Sequence, residues 1–279
     1  MLVMALQKTK GSVMMKRPFL FVLLATVLCL SACQHAGSIP DTITEDPPVA
    51  TFSIVGYDPA TGDLGIAVQS KFFGVGSVVP WAQANVGAVA TQSWANVTYG
   101  PEGLALMASG KTAKEALEQL TKLDGKRDQR QAGFVDANGT VASFTGKGCM
   151  DWAGHVEGKH HCAQGNILAG EKVVNGMSRA YLAAQLQPKS ELADWLLAAL
   201  QAGQKAGGDK RGRQSASMLV VRDKGGYSGG NDRYIDIRVE DHKTPITELS
   251  RLLELHKQFF RRAHMNRPKK VIDDPAKKK

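Results

Sequence analysis

Thr51-Phe52-Ser53-Ile54-Val55, Asp58-Pro59-Ala60-Thr61-Gly62-Asp63 and Leu64-Gly65-Ile66-Ala67-Val68-Gln69 read in succession as strand, turn and strand. The outer runs are rich in β-branched and apolar residues, and the Asp, Pro and Gly between them supply turn chemistry, so the unit is a predicted β-hairpin. Apolar segments at residues 76–81 and 86–92 extend the same sheet. Asn138-Gly139 accepts the left-handed angles of a tight turn and predicts a second hairpin, from residues 131–136 and 140–145. Further strands are expected at 164–168, 215–222 and 233–240. Helices interrupt them. Pro101 suits a first helical turn leading to Ser109, and Thr112 can cap a helix over 113–123 whose apolar stripe is Ala113, Ala116, Leu117 and Leu120. Residues 171–186, 190–202 and 244–260 repeat at helical spacing. Hairpins dominate wherever strands adjoin, which argues for an α+β domain of antiparallel sheets with helices outside, against a parallel doubly wound sheet.

The two ends have other tasks. Lys16-Arg17 precedes an apolar run over 19–30, a pattern of secretory signals and too short for a spanning helix. Leu30-Ser31-Ala32-Cys33 resembles a bacterial lipobox, which implies lipidation of Cys33, and Gln34 after it points to the periplasmic face of the outer membrane. Met14 or Met15 would give a signal of more usual length. The expected organisation is therefore a signal over 1–32, a lipidated Cys and polar tether over 33–50 ending in Pro47-Pro48, a folded domain over 51–260, and a basic arm over 261–279. The formal charge of the 279-residue chain is +9, and removal of Lys8, Lys10, Lys16 and Arg17 with the signal leaves +5. That excess sits in the arm, which suits anionic lipid or cell-wall polymer; nucleic acid is excluded by compartment. Of four cysteines, Cys149 and Cys162 remain in the domain, and outside the cytoplasm the pair is expected to form a disulfide. A metal site from these with His155, His160 and His161 is the weaker reading, because the spacing fits no usual zinc pattern.

Several longer runs carry a resemblance. Thr51 to Val55, Gly65-Ile66-Ala67-Val68-Gln69-Ser70-Lys71-Phe72-Phe73, Val79-Pro80-Trp81, Trp152-Ala153-Gly154-His155, Gln164-Gly165-Asn166-Ile167-Leu168-Ala169-Gly170, Gly208-Asp209-Lys210-Arg211-Gly212-Arg213-Gln214-Ser215 and Asn231-Asp232-Arg233-Tyr234-Ile235-Asp236 resemble the bacterial family of domains of unknown function 1028. That family is classed with the N-terminal-nucleophile (Ntn) hydrolases. The resemblance, running from Thr51 to about His256, implies a four-layer αββα sandwich of two antiparallel sheets flanked by helices. It implies no substrate.

In Ntn hydrolases the nucleophile opens the first strand, and here Thr51 does so. Its hydroxyl needs a base, which its own α-amine supplies once freed; the competing reading is a β-branched strand residue. Lys71, at the end of the second strand, can return toward Thr51 and stabilise developing negative charge, or can be a solvated strand-end lysine. Asn166 can donate its amide to an oxyanion or simply form a turn. Asp209, Arg211 and Arg213 in a glycine-flanked loop suit a substrate carboxylate, and Asn231 joins them as a binding candidate; surface ion pairing accounts for the same loop. The mechanism requires no cofactor and no metal. The expected partners are a small-molecule or cell-wall-derived amide, the membrane through the lipid, and a further copy of the chain. Seventeen residues, Gln34 to Ala50, separate Thr51 from Cys33, so its nitrogen is a peptide nitrogen until the Ala50–Thr51 bond is cut. A non-catalytic envelope-binding lipoprotein is the alternative.

Overall fold

The structure, a computed structural model, describes Val49 and residues 51–264. The signal, Cys33, the rest of the tether and the arm beyond His264 lie outside the described residues. The opening hairpin forms as expected: β1 (Thr51–Asp58) and β2 (Asp63–Ser70) pair antiparallel from Asp58 opposite Asp63 to Thr51 opposite Ser70. Asp58 builds the turn. Its carboxylate accepts from the Ala60 N–H at 2.8 Å and the Thr61 hydroxyl at 2.9 Å, while Gly62 takes a φ of 79° that disfavours other residues.

Neither the stretch at 76–81 nor that at 86–92 extends this sheet. Gly74, at φ 63°, turns the chain into a short 3-10 turn (Val75–Ser77), and only β3 (Pro80–Gln83) is strand. β3 pairs with β4 (Gly87–Ser93) and begins a second sheet, completed by β5 (Arg130–Asp136) and β6 (Val141–Thr145) in the order β3-β4-β5-β6. Two strands flank the hairpin in the first sheet on one side, β7 (Gly154–Gly158) and β8 (His161–Gly165), and two on the other, β9 (Ser215–Val221) and β10 (Arg233–Val239). The order is β10-β9-β2-β1-β8-β7, and every pairing is antiparallel. The β7–β8 hairpin was not legible from composition, since Gly, His, Glu and Lys hide its alternation. Residues 166–168, expected as strand, leave β8, and Ile167 takes a φ of 53°.

Five helices follow the expected pattern: α1 (Tyr99–Ala108), α2 (Ala113–Leu123), α3 (Lys172–Gln185), α4 (Leu192–Lys205) and α5 (Pro245–His264). Thr112 caps α2 reciprocally: its hydroxyl accepts from the Glu115 N–H at 3.3 Å, and the Glu115 carboxylate accepts from the Thr112 N–H at 2.8 Å. α5 continues four residues into the segment expected as the basic arm. No described helix is long and apolar enough to cross a membrane.

Alternation in the strands sorts these elements into four layers. Phe52 and Ile54 of β1 belong to a core with Met177, Tyr181, Leu196 and Leu200 of α3 and α4. Val55, Leu64, Ile66 and Val68 share a second core with Ala88, Ala90 and Val135 of the other sheet. Val89, Ala132 and Phe134 form a third with Leu104, Met107, Leu117 and Leu120 of α1 and α2. The fold is thus an αββα sandwich of two antiparallel sheets. Each buried Leu, Ile or Phe contributes roughly 1.5–3 kcal/mol, so the cohesion is spread through three apolar interfaces.

The expected disulfide is absent: Cys149 and Cys162 are both free. Cys162 faces the inter-sheet core, where a side chain added at Gly133 would lie 2.8 Å from its sulfur. Cys149 sits in the loop after β6, its thiol donating to the Arg130 carbonyl at 3.2 Å. Arg130 and Gly133 are three residues apart on β5, about 10 Å at ~3.3 Å per residue, beyond the reach of a disulfide. Burial pushes the Cys162 thiol up to about 12. Iodoacetamide is therefore expected to label Cys162 only after unfolding, and peptide mapping of unreduced protein should show no Cys149–Cys162 crosslink; such a crosslink would overturn this placement.

Polar ties hold the margins. Asp124, after α2, accepts from Arg130 Nε at 2.9 Å, the Tyr99 hydroxyl at 3.0 Å, the Lys126 N–H at 2.8 Å and the Asn96 amide at 3.3 Å. Burial alone raises its carboxyl, but the bonds from Arg130, Lys126, Asn96 and Tyr99 outweigh it and hold it at about 2. A depressed carboxyl stabilises the fold above its unfolded value near 4, and that contribution is lost as pH falls through about 2. Asp124→Asn is accordingly expected to weaken the protein at neutral pH and to flatten its acid denaturation curve between pH 4 and 2; an unchanged curve would refute the assignment. On the outer strand β10, Arg233 and Arg238 both pair with Asp236, the latter at 3.1 Å.

Candidate active site

Counting back from the turn, the hairpin register places Ser70 opposite Thr51, with Lys71 one residue beyond. Thr51 is fully buried, and its hydroxyl donates to the Val49 carbonyl at 2.8 Å and lies 3.1 Å from the Ser70 hydroxyl. Its carbonyl accepts from the Asn166 N–H at 3.0 Å and from Gln92 Nε2 at 3.3 Å. Val49 is itself built into the sandwich. Its N–H donates to the Ser93 carbonyl at 2.7 Å, its carbonyl accepts from the Ser93 N–H at 3.0 Å, and only 4% of its surface is exposed.

Beneath Thr51 the facing strands carry buried amides where apolar residues would ordinarily meet. Ser53 donates to Gln92 Oε1 at 2.6 Å and accepts from Gln164 Nε2 at 2.7 Å. Gln92 Nε2 also donates to Gln131 Oε1 at 2.8 Å, as does Asn166 Nδ2 at 2.9 Å. Gln131 Nε2 faces three acceptors, the Gly165 carbonyl at 2.8 Å, the Thr145 hydroxyl at 3.0 Å and the Gly154 carbonyl at 3.1 Å. Those carbonyls fix which end of Gln131 carries the hydrogens, and Gln131 Oε1 in turn fixes Asn166 with its amide hydrogens toward Gln131. The two sheets come together closely here because Gly133 has no side chain; one would lie 2.4 Å from Gln164 Oε1. This network rigidifies the floor under Thr51. Sequence reading missed Ser53, Gln92, Gln131 and Gln164. The available signal was polar residues inside otherwise apolar strands.

The expected site residues divide by place. Lys71 is exposed; its backbone N–H donates to Asp209 Oδ2 at 3.3 Å, and among the described residues no hydrogen bond joins its ammonium to Thr51. Asn166 meets Thr51 through its backbone rather than its amide. Asp209 is buried and forms a bidentate pair with Arg211, at 3.2 Å to Nε and 2.9 Å to Nη2, besides accepting from the Arg211 N–H at 2.8 Å. Its loop is tied to the same end of the sheet, since the Lys210 N–H donates to the Ile167 carbonyl and the Gln214 N–H to the Ser70 carbonyl, both at 2.9 Å. Arg213 is exposed in that loop. Asn231 is elsewhere. It follows β9 at the Leu64–Val221 end, six residues of strand from the Ser70–Ser215 pair, or about 20 Å. There it accepts from the Arg233 N–H at 3.0 Å and shapes the β9–β10 connection. A groove of about 590 Å³ lined by Asp58, His160, Leu182, Lys189 and Trp195 likewise lies at that far end, by the hairpin turn. Among the described residues no group of three or more His, Cys, Asp or Glu is placed to hold a metal ion.

The model of a family of unknown function, DUF1028, matches residues 51–249, from the buried threonine to the last helix. The chain belongs to this family. A crystal structure of a DUF1028 protein from Silicibacter pomeroyi is 31% identical, covering 75% of this chain and 86% of that one with a TM-score of 0.67. Weaker likenesses reach HslV from Trypanosoma brucei (9% identity, 61% of this chain and 98% of that one, TM-score 0.35) and Anbu, described as an ancestral β-subunit, from Yersinia bercovieri (10%, 78% and 98%, TM-score 0.32). No curated protein matches. The DUF1028 match begins at Thr51, so the segment carrying Val49 lies just ahead of it.

Proposed function

We propose that this DUF1028 protein hydrolyses an amide bond with Thr51 as nucleophile, after scission of the Ala50–Thr51 bond frees its amine. The observation that carries this reading is the placing of Thr51: first in its strand, buried, its carbonyl held by Asn166 and Gln92, and its hydroxyl against Ser70. In processing, the Thr51 oxygen attacks the Ala50 carbonyl, the amide nitrogen leaves as an amine, and water cleaves the resulting ester to give an Ala50 carboxylate. In turnover the α-amine takes the hydroxyl proton as the oxygen attacks a substrate carbonyl and passes it to the leaving amine; one water then releases the acid. Ser70 orients the hydroxyl, Asn166 offers its remaining amide hydrogen to the oxyanion, and Lys71 acts through its charge rather than a bond. Asp209 holds Arg211, and with Arg213 this loop receives an anionic substrate group. We place the protein in the cell envelope, anchored through Cys33 until processing frees the domain, with a small-molecule or cell-wall-derived amide as substrate.

The second reading is a non-catalytic binding lipoprotein. What favours it is the seating of Val49, which occupies the approach to Thr51 in the uncut chain. Intact-mass measurement on protein spanning residues 34–279 separates the two: a species beginning at Thr51 is expected, and a chain that stays whole and inert sinks the hydrolase.

A further inference from the structure

Val49 stands two residues ahead of Thr51, on the acyl side of the bond proposed to break. Its backbone makes both hydrogen bonds of an antiparallel bridge to Ser93, at 2.7 and 3.0 Å, and its side chain belongs to the inter-sheet apolar cluster that includes Val68, Val79 and Ala90. Ser93 ends β4 with a φ of 68°, a left-handed angle that costs a non-glycine residue about 1 kcal/mol. Strain of that kind persists only where surrounding structure enforces it. Here it accompanies a Ser93 whose N–H and carbonyl are both committed to Val49. A ladder pair, an apolar slot and the Thr51 hydroxyl thus converge on Val49.

We infer that the slot holding Val49 is the acyl-side subsite of the enzyme, and that its substrates are amides of short extended peptide acids. The preferred acid has a small residue at the attacked carbonyl and a branched aliphatic residue before it. This rests on Thr51 being the nucleophile. One oxygen attacks the Ala50 carbonyl in processing and the substrate carbonyl in turnover, so the atoms on the acyl side of both bonds occupy the same place. Once the tether departs, Ser93 loses both partners of its bridge and an apolar slot opens to water. An incoming strand restores both, the ordinary economy of β-strand addition. A carboxylate in the position of Val49 would instead be buried without a partner.

Binding can be tested apart from catalysis by using full chains that cannot process. A fluorescein-labelled peptide of sequence Pro47-Pro48-Val49-Ala50 is titrated into Thr51→Ala protein and into the double variant Val49→Asp/Thr51→Ala, in which the chain's own segment is expelled from the slot. The peptide is expected to bind the double variant at least about tenfold more tightly than Thr51→Ala, whose slot is filled, and at least tenfold more tightly than the same peptide with Asp at the Val49 place. Equal binding to both proteins, no binding to the double variant, or indifference to the Asp exchange overturns the subsite. Circular dichroism verifies folding, and Val49→Gly/Thr51→Ala replaces the double variant if Asp prevents it. Since both proteins lack the nucleophile, a negative result bears on the subsite alone, while loss of processing in the wild-type chain bears on the hydrolase.

Discussion

Thr51→Ala is expected to leave the chain joined at Ala50 and to lower amide turnover by about a thousandfold or more. The exchange removes one oxygen and one methyl group from a fully buried position. Thr51's carbonyl keeps its bonds from Asn166 and Gln92, so the strand stays in place. Loss of the hydroxyl contacts to Val49 and Ser70 costs only about 1–2 kcal/mol in stability. Thr51→Ser retains the attacking atom and is expected to recover processing, which a purely structural role for the threonine would not require. N-terminal sequencing, turnover and thermal melting of the three proteins form the measurement. If Thr51→Ala is processed and turns over at the wild-type rate, the nucleophile lies elsewhere.

Arg222→Ala is expected to cost about 3–5 kcal/mol in unfolding free energy, since it strands a buried carboxylate. Arg222 donates to Asp63 through Nε at 2.7 Å and Nη2 at 2.5 Å, with 17% of its side chain and 1% of that of Asp63 exposed. Its guanidinium lies 3.8 Å above the Tyr234 ring, and the Tyr234 hydroxyl donates to Glu191 at 2.7 Å. Burial by itself disfavours the Arg222 charge, but its bonds to the Asp63 carboxylate outweigh it and hold the guanidinium protonated. The pair closes the hairpin end of the first sheet, far from Thr51. Urea titration should therefore show a large stability loss in Arg222→Ala, while processing at Thr51 persists below the transition. Arg222→Met combined with Asp63→Leu removes both charges and should recover most of the loss. Equal stability of wild type and Arg222→Ala would show that water, not protein, solvates Asp63.

Much of this molecule was legible in its residues, and the exceptions have physical causes. Asp58-Pro59 through Gly62-Asp63 announced the first hairpin, and Asn138-Gly139 the second, because left-handed and fixed backbone angles demand particular residues. Thr112 announced α2 through its cap. Residues 76–81 and 86–92 misled because apolarity does not say which sheet a strand joins, and Gly74 had already turned the chain aside. The β7–β8 hairpin escaped because His155, Glu157 and His160 obscure its alternation. At the site, Thr51 stood out by its position in the chain, whereas Ser70 followed only from the register. Lys71 seemed closer than it is because one residue of slip reverses a side chain's face. Gln92, Gln131 and Gln164 gave no local signal of cooperation, since their bonds join strands distant in sequence. Asn231 was grouped with Arg211 by chemistry, and β9 carries it to the far end. Compartment and cysteine count suggested a disulfide, but β5 separates the two thiols.

The alternating charges on β10 bear on how the protein behaves when crowded. A free sheet margin is a template on which other chains can polymerise, and Arg233, Asp236 and Arg238 place ionic groups along that margin, where docking a foreign strand would desolvate them. Fibril growth by lateral sheet addition should therefore be resisted from this side.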